Sequence, residues 1–341
     1  MAYNVTVDTL TLEDIVPRVV DTILRTNRFI TTALSKTRKF RAATQDFPIK
    51  YATGTPVQGF IGMQLLPTAF KDTRVLLKFN PRFTAANVAL AGTDILANNV
   101  AQQVIDLTKV EMKSRSQDLA DYLGTQAYAN NGDASVDIYG LQAIVDDGTN
   151  ASTIGGLSRS TYPTLQSTVI SNSTLSLSGL RTLYNDIVDA AVVPTRIYTD
   201  FPTWALYETL LQPQEKIYKQ VNIVPNYKGY SGFDGLMFAG LEMIPDRKCT
   251  TGSVYMLNED FLNFYALDTE LQGYPNASRV EVASKLFTGN QYNEVGSLGF
   301  YWTGFIFTTQ QFAFNGFIVL AGNLLTDNPR RHGVQTGVTT V

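Results

Sequence analysis

Residues 93–129 read TDILANNVAQQVIDLTKVEMKSRSQDLADYLGTQAYA, the clearest helical pattern in the chain. Leu96, Val100, Val104, Leu107 and Val110, then Leu119, Leu123 and Ala127, recur at spacings of three and four. Glu111 and Arg115 stand one turn apart on the polar side, and no glycine or proline intervenes before Gly124. A helix unbroken from about 94 to 129 would run roughly 50 Å, at about 1.5 Å per residue. That is well beyond an ordinary globular helix, so the stretch reads as a structural beam.

Ahead of the beam, residues 46–92 are rich in Pro, Gly, Thr and aromatics. Two extended runs, Tyr51 to Phe70 and Val75 to Phe79, suggest a long hairpin. A lone two-stranded ribbon is marginal in water, because ordering the backbone costs about 1–2 kcal/mol per residue and one partner strand offsets little of it. The ribbon therefore needs support from outside, and residues 55–80 read as supplying pairing between chains and little of the intrachain core. Further upstream, Val19, Val20, Ile23 and Leu24 fit a short helix. Arg25, Arg28, Lys36, Arg38, Lys39 and Arg41 follow with no acid between Asp21 and Asp46, forming a basic arm. Such an arm is either a solvated face or a strip lying on phosphate or an acidic neighbouring subunit.

Behind the beam, residues 134–178 are polar and turn-rich and read as strands and loops. A helix starting near Ser176 or Ser178 buries Leu180, Leu183, Tyr184, Ile187 and Ala191 and stops before Pro194. A strand at 196–200 and a helix from Phe201 to Leu211, closed by Gln212-Pro213, complete a helix-strand-helix unit. Gly- and Tyr-rich loop sequence occupies 226–235, and short strands run to 322. From Val295 to Thr326 there is no charge, yet Gly299, Gly304, Gln310, Gln311, Asn315 and Gly316 break the run, and Phe305, Phe307, Phe312 and Phe314 alternate. Period two marks buried strands, not a membrane span. The last eleven residues, 331–341, read as a frayed tail.

The 341 residues carry 27 basic and 30 acidic side chains, 17% of the chain, where about 25% is usual. A surface so poor in charge is expected to be covered in part by something else. A net charge of −3 argues against a dedicated nucleic-acid reader. The first residues lack the basic start and apolar core of a secretory signal. One cysteine, Cys249, and one histidine, His332, leave no intrachain disulfide, His triad or multi-His metal site. Arg247 and Lys248 could lower the Cys249 thiol, but a packing or surface thiol is the simpler reading. Asp133, Ser135 and Asp137 have a calcium loop's opening spacing without its Gly or closing Glu. Asp146-Asp147 before Gly148 is turn chemistry, and Glu259-Asp260 and Asp268 with Glu270 read as solvated edges. Walker A and GxGxxG patterns are absent. Catalytic, cofactor-binding and metal residues are therefore all assigned as none.

Three passages carry a resemblance. Thr93-Asp-Ile-Leu-Ala-Asn through Asp121-Tyr-Leu resembles the spine helix of tailed-bacteriophage major capsid proteins of the Hong Kong ninety-seven type. Gly179-Leu-Arg-Thr-Leu-Tyr-Asn through Leu210-Leu211 resembles the helix, strand and helix of their axial domain. Gly240-Leu-Glu-Met-Ile-Pro-Asp246 with Gly252-Ser-Val-Tyr-Met-Leu257 resembles the strand pair leading out of it, and Asn315-Gly-Phe-Ile-Val-Leu320 the closing strand.

The resemblance implies an α+β fold: N-terminal arm 1–45, extended-loop hairpin 46–92, spine helix of a peripheral domain 93–135, axial domain 136–255, returning strands 256–330 and tail 331–341. It implies a shell of hexamers and pentamers, icosahedral or prolate, around double-stranded DNA held by non-specific contact. A separate scaffolding protein, a portal and a decoration protein would be partners, with no membrane, in a virion assembled in the bacterial cytoplasm. Lys71 and Lys78 lie where some relatives cross-link, but no partner residue can be matched. An encapsulin-like compartment is the alternative, and an uncharacterised hydrolase a more distant one. Reversal of Arg38, Lys39 and Arg41 to Glu is expected to lower the yield of filled particles more than the subunit's melting temperature; an unchanged yield would favour the solvated-face reading.

Overall fold

The computed structural model describes residues 27–40, 43–52, 54, 57, 59–65, 72–97, 101–189, 192–211, 236–267, 293–294, 300–307 and 312–339. The proposed helix at 11–24, the loop 226–235 and the helix stop at 212–213 lie outside them. In chain order, helix α1 (Arg28–Ser35) leads through β1 (Arg38–Lys39) to the ribbon strands β2 (Gln45–Lys50) and β3 (Arg74–Phe79). β4 (Arg82–Ala91) is followed by α2 (Gly92–Ala97) and the beam, α3 (Ala101–Tyr128), about 42 Å long. Next come α4 (Leu141–Ile144), β5 (Thr153–Ile154), β6 (Leu157–Ser158), β7 (Thr168–Ser171), α5 (Leu177–Ile187), β8 (Arg196–Thr199) and α6 (Phe201–Leu211). β9 (Leu236–Phe238), β10 (Leu241–Pro245), β11 (Val254–Leu257), β12 (Leu262–Ala266), β13 (Asn293–Glu294), β14 (Phe300–Trp302), β15 (Ile306–Phe307), β16 (Ala313–Thr326) and β17 (Gly333–Thr336) complete the chain.

Two sheets organise these elements. A six-stranded sheet has the order β7-β17-β11-β8-β10-β9, with α5 and α6 packed on it around Leu180, Leu183, Ile197, Tyr207 and Met256. The second sheet is built on β16, which pairs with β4 along one edge and with β12, β14 and β15 along the other. Its core joins α1, the ribbon base and α3 through Phe29, Leu34, Leu77, Phe79, Met112 and Leu324, and is continuous with Tyr198, Tyr255 and Val334 of the six-stranded sheet. Local chemistry explains the helix starts. Asn27 caps α1 by accepting from the Ile30 N–H at 3.0 Å, and Ser176 caps α5 by accepting from Gly179 at 3.1 Å.

The beam forms at Ala101–Tyr128 with Leu119, Leu123 and Ala127 buried as the period placed them, but the buried face of its first half is turned. Val110 is 64% exposed, and Thr108, Met112, Ser116, Leu119, Leu123 and Ala127 face inward. α3 packs on β4, and small hydroxyl residues let helix and strand approach; Ser116 Oγ donates back to Lys113 O at 2.7 Å instead of needing a partner on the strand. Counting apolar residues alone could not weigh a buried Ser above an exposed Val.

Four further expectations are corrected. The hairpin does not extend to 92: the paired ribbon ends at Phe79, and β4 belongs to the sheet on β16. Removing 55–80 would also strip the core, since Leu77 and Phe79 are buried, each side chain worth about 1.5–3 kcal/mol of burial. β10 and β11 do not pair with each other; β8 lies between them, parallel to β10 and antiparallel to β11. Asn315–Leu320 lies in the sheet of β4 and β12, and the late strand that joins the six-stranded sheet is β17.

β17 also corrects the frayed tail, because it is an interior strand between β7 and β11. Its composition is small and polar, which reads as tail, but strand pairing uses the backbone. Gly333 is required there: a Cβ would lie 2.5 Å from Ile187 Cδ1 of α5. His332, just before it, is fully buried, its Nδ1 accepting from the Asn258 N–H at 3.2 Å and its Nε2 3.1 Å from Thr326 Oγ1. Burial pushes its pKa down from 6.5 to about 3. The unfolded chain then binds one more proton than the folded one between those values. The contribution is complete above pH 6.5 and is lost as pH falls toward 3. The slope approaches about 1.4 kcal/mol per pH unit. Denaturant midpoints measured across this range should fall with acid, and His332→Asn, which keeps an acceptor for Asn258, should flatten the fall; an unchanged slope would contradict the buried neutral ring.

Candidate functional site

The ribbon divides into a fastened base and an unsupported tip. At the base, Phe47 lies edge-on to Phe79 and Tyr265 at 6.0 and 5.7 Å, Tyr51 meets Tyr162 at 5.1 Å, and Lys78 N–H donates to Gly155 O at 3.0 Å. Beyond Tyr51 the described side chains are mostly exposed. Ile61 is 90% exposed, and Val57, Phe60, Met63 and Leu65 are exposed with it. From Tyr51 to Phe70 no residue is charged. Five bare apolar side chains on one projecting segment form a patch that monomers seldom leave in water.

A second uncharged surface lies on the sheet. Because β4 alternates, Phe83, Ala85, Asn87, Ala89 and Ala91 turn away from α3, with Val319 opposite Ala85 and exposed Phe317 opposite Asn87. Arg82, the only ion of β4, points inward: it donates to Gly132 O at 2.7 Å and to Asp137 O, and stacks 4.2 Å above the Tyr139 ring. Burial lowers its pKa, with Asp133 and Asp137 opposing.

The titratable residues singled out from the sequence are used within the fold. Cys249 is buried, and burial, with Asp200 and Asp246 beside it, pushes its thiol well above its usual value, overriding any pull from Arg247 and Lys248. Lys248 pairs instead with Asp121 at 3.2 Å. Asp133 accepts from the Tyr139 hydroxyl and from Gly156 N–H at 3.1 Å, and Asp137 from the Tyr122 hydroxyl at 2.6 Å. Asp146 is buried and binds the N–H groups of Gly148, Asn150 and Ala151 at 2.8, 3.0 and 2.9 Å. Arg159, unremarked in the sequence, donates to the carbonyls of Ala143 and Asp146 at the end of α4; burial lowers its pKa to about 10.

Glu259 is not a solvated edge. It is buried, accepts from Arg196 and Lys36 at 2.9 Å each and from the Tyr198 hydroxyl at 3.1 Å. No local signal reveals this, because all three partners are more than 60 residues away in sequence. Lys36 of the basic arm therefore meets an acid of its own chain. Lys78 is exposed on β3; Lys71, Arg25, Arg41, Asp268 and Glu270 lie outside the described residues. Among the described residues, no group of three or more His, Cys, Asp or Glu could hold a metal. A cleft of about 390 Å³ at the ribbon's root is lined by Lys78, Asn80, Arg82, Phe83, Asp133 and Tyr139. Its acid accepts from Tyr139 and its guanidinium is bound to backbone carbonyls. Among the described residues, the tip and the uncharged sheet face are exposed apolar surfaces.

No protein-family model matches the chain, and none of the curated proteins matches it. Solved structures do. The capsid of Cyanophage A-1(L) superposes with a TM-score of 0.63 at 15% identity, covering 91% of this chain and 92% of that one. The capsid of a native GTA particle gives 0.52 at 6%, covering 91% of each chain. The SrpI encapsulin of Synechococcus elongatus PCC 7942 gives 0.50 at 11%, covering 92% and 88%. The fold is that of the phage capsid proteins of the Hong Kong ninety-seven type, mixed helix and sheet throughout.

The boundary between base and tip is measurable in the subunit alone. Ile61→Asp and Met63→Asp should each change unfolding free energy by less than about 0.5 kcal/mol, as exposed positions do. Leu77→Ala should cost about 2–5 kcal/mol. Comparable losses at all three in denaturant titrations would show that the tip is packed on its own chain.

Proposed function

We propose that this chain is the major capsid protein of a tailed bacteriophage, assembling as hexamers and pentamers into a closed shell around double-stranded DNA. The observation that carries the reading is the uncharged ribbon tip standing off a complete, well-packed body in a chain with a capsid fold. Burying its five apolar side chains against another copy would yield about 7–15 kcal/mol gross, at about 1.5–3 each. Association costs about 4–15 kcal/mol, so a single contact is weak and reversible. Repeated around a closed ring, such contacts become cooperative. The mechanism is assembly, without turnover.

On this reading, residues 136–255 together with β17 form the axial domain around the capsomer axis. The sheet on β16 with α3 forms the peripheral domain, and the tip reaches over the neighbour. Scaffolding, portal and decoration proteins would be separate chains, with assembly in the bacterial cytoplasm and DNA held by non-specific contact. Among the described residues no helix is long and apolar enough to cross a membrane. The encapsulin-like alternative rests on the SrpI likeness and differs in its contents, protein cargo instead of nucleic acid.

Electron microscopy of the overexpressed chain should show closed particles. Replacing residues 53–71 by a short glycine turn keeps β2, β3 and their core residues, so subunits should fold with an unchanged melting temperature and form no shells. Intact shells from that variant would refute the tip's part in assembly, absence of particles from the unmodified chain would refute the capsid reading, and protein cargo recovered from wild-type particles would favour the compartment.

A further inference from the structure

The chain passes between its two sheets three times, once by the long path from β4 through α3 to β7 and twice through short connectors lying side by side, 258–261 and 327–332. They are bonded to each other: the Asn258 N–H donates to His332 Nδ1 at 3.2 Å, and Asp327 N–H to Phe261 O at 3.2 Å. Two adjacent connectors define an axis about which one sheet could turn against the other. α1 and β1 cross this axis and are fastened on both sides of it.

On the axial side, the buried carboxylate of Asp246 accepts from Phe29 N–H at 3.2 Å and from Asn27 Nδ2 at 3.5 Å, a negative charge at the start of α1. The same carboxylate takes the hydroxyl of Tyr128, the last residue of the beam, at 3.2 Å. The Phe29 ring packs 5.3 Å from Tyr198 of β8 and 5.5 Å from Tyr128. At the axis itself, Glu259 holds Lys36. On the peripheral side, β1 pairs in parallel with β12, and Phe40 N–H donates to Ala266 O at 2.9 Å. Gly124 of the beam completes the seat, because a Cβ there would come within 2.7 Å of Asn27 Nδ2. Residues that read from sequence as a loose basic arm are thus a strap with three anchors.

We infer that this strap sets the angle between the axial and peripheral sheets, and through it the curvature of the shell. The inference rests on the proposed capsid role. Each subunit's two sheets point toward different symmetry axes in such a shell, so a fixed change in their mutual angle accumulates around the particle into a different diameter.

The test acts on the strap and leaves both sheets intact. Lys36→Glu places a like charge against buried Glu259 from a half-exposed position, and Phe29→Leu removes the ring contacts with Tyr128 and Tyr198. Leu180→Ala, in the axial core away from the strap, is the control for lost stability. Circular dichroism first confirms folding, and particle diameters are then measured by cryo-electron microscopy on the full-length chain. The expected result is a shift or broadening of diameter, or open curved sheets, for the strap variants, with the parent's diameter kept by Leu180→Ala. Strap variants with the parent's single diameter overturn the inference. So do folded strap variants that make no assemblies, since the strap would then be building a contact and not setting an angle. Absence of particles from the unmodified chain would instead sink the capsid reading itself.

Discussion

The larger of the two sheets hangs on β16. Fourteen consecutive residues, Ala313–Thr326, carry no charge and are paired along both edges, with β4 over 313–322 and with β12, β14 and β15 on the other side. A strand buried this way must spend its backbone donors and acceptors on neighbours, because an unpaired peptide group away from water costs about as much as a lost hydrogen bond. β4 in turn offers α3 the inward half of its side chains, and the ribbon base packs into the same core through Leu77 and Phe79. The requirement that β16 be doubly paired thus positions beam, ribbon and sheet face together.

The polar interior follows the complementary rule, that a buried charge must be matched. Asp246 and Glu259 take donors from α1, β8 and the beam, Arg159 takes the carbonyls at the end of α4, and His332 stays neutral between Asn258 and Thr326. Each fastens segments far apart in the chain. Removing one partner strands the other, so these groups make the relative placement of segments definite even where their net stabilisation is small.

Against that ordered interior, the tip and the outer face of β4 and β16 stand out for having neither charge nor cover. Such surfaces would be a liability for a molecule working alone. In the proposed assembly, copies would shield each other, and the weak gross energy of a single contact would suit correction of errors during closure. The anchored base matters as much as the bare tip, since a tip on a loose stalk would lose in ordering entropy what it gained on binding.

Length, period and caps were readable directly. The three-and-four spacing of residues 93–129 specified a beam, Ser176 or Ser178 the start of α5, the extended runs of 46–92 a ribbon, and the lack of charge with period-two alternation from Val295 to Thr326 a buried strand. These features depend on residues within a turn or two of one another, which a linear chain displays. What only the tertiary structure decided was which side of the beam's first half is buried, that the closing residues form an interior strand, that Glu259 is paired and inside, and that residues 27–40 are fastened to both sheets. Those outcomes depend on partners tens to hundreds of residues away: β4 beside α3, Ile187 against Gly333, Lys36 and Arg196 around Glu259. A backbone hydrogen bond or a matched charge leaves no trace in local composition, because its energy belongs to the pair and not to either residue.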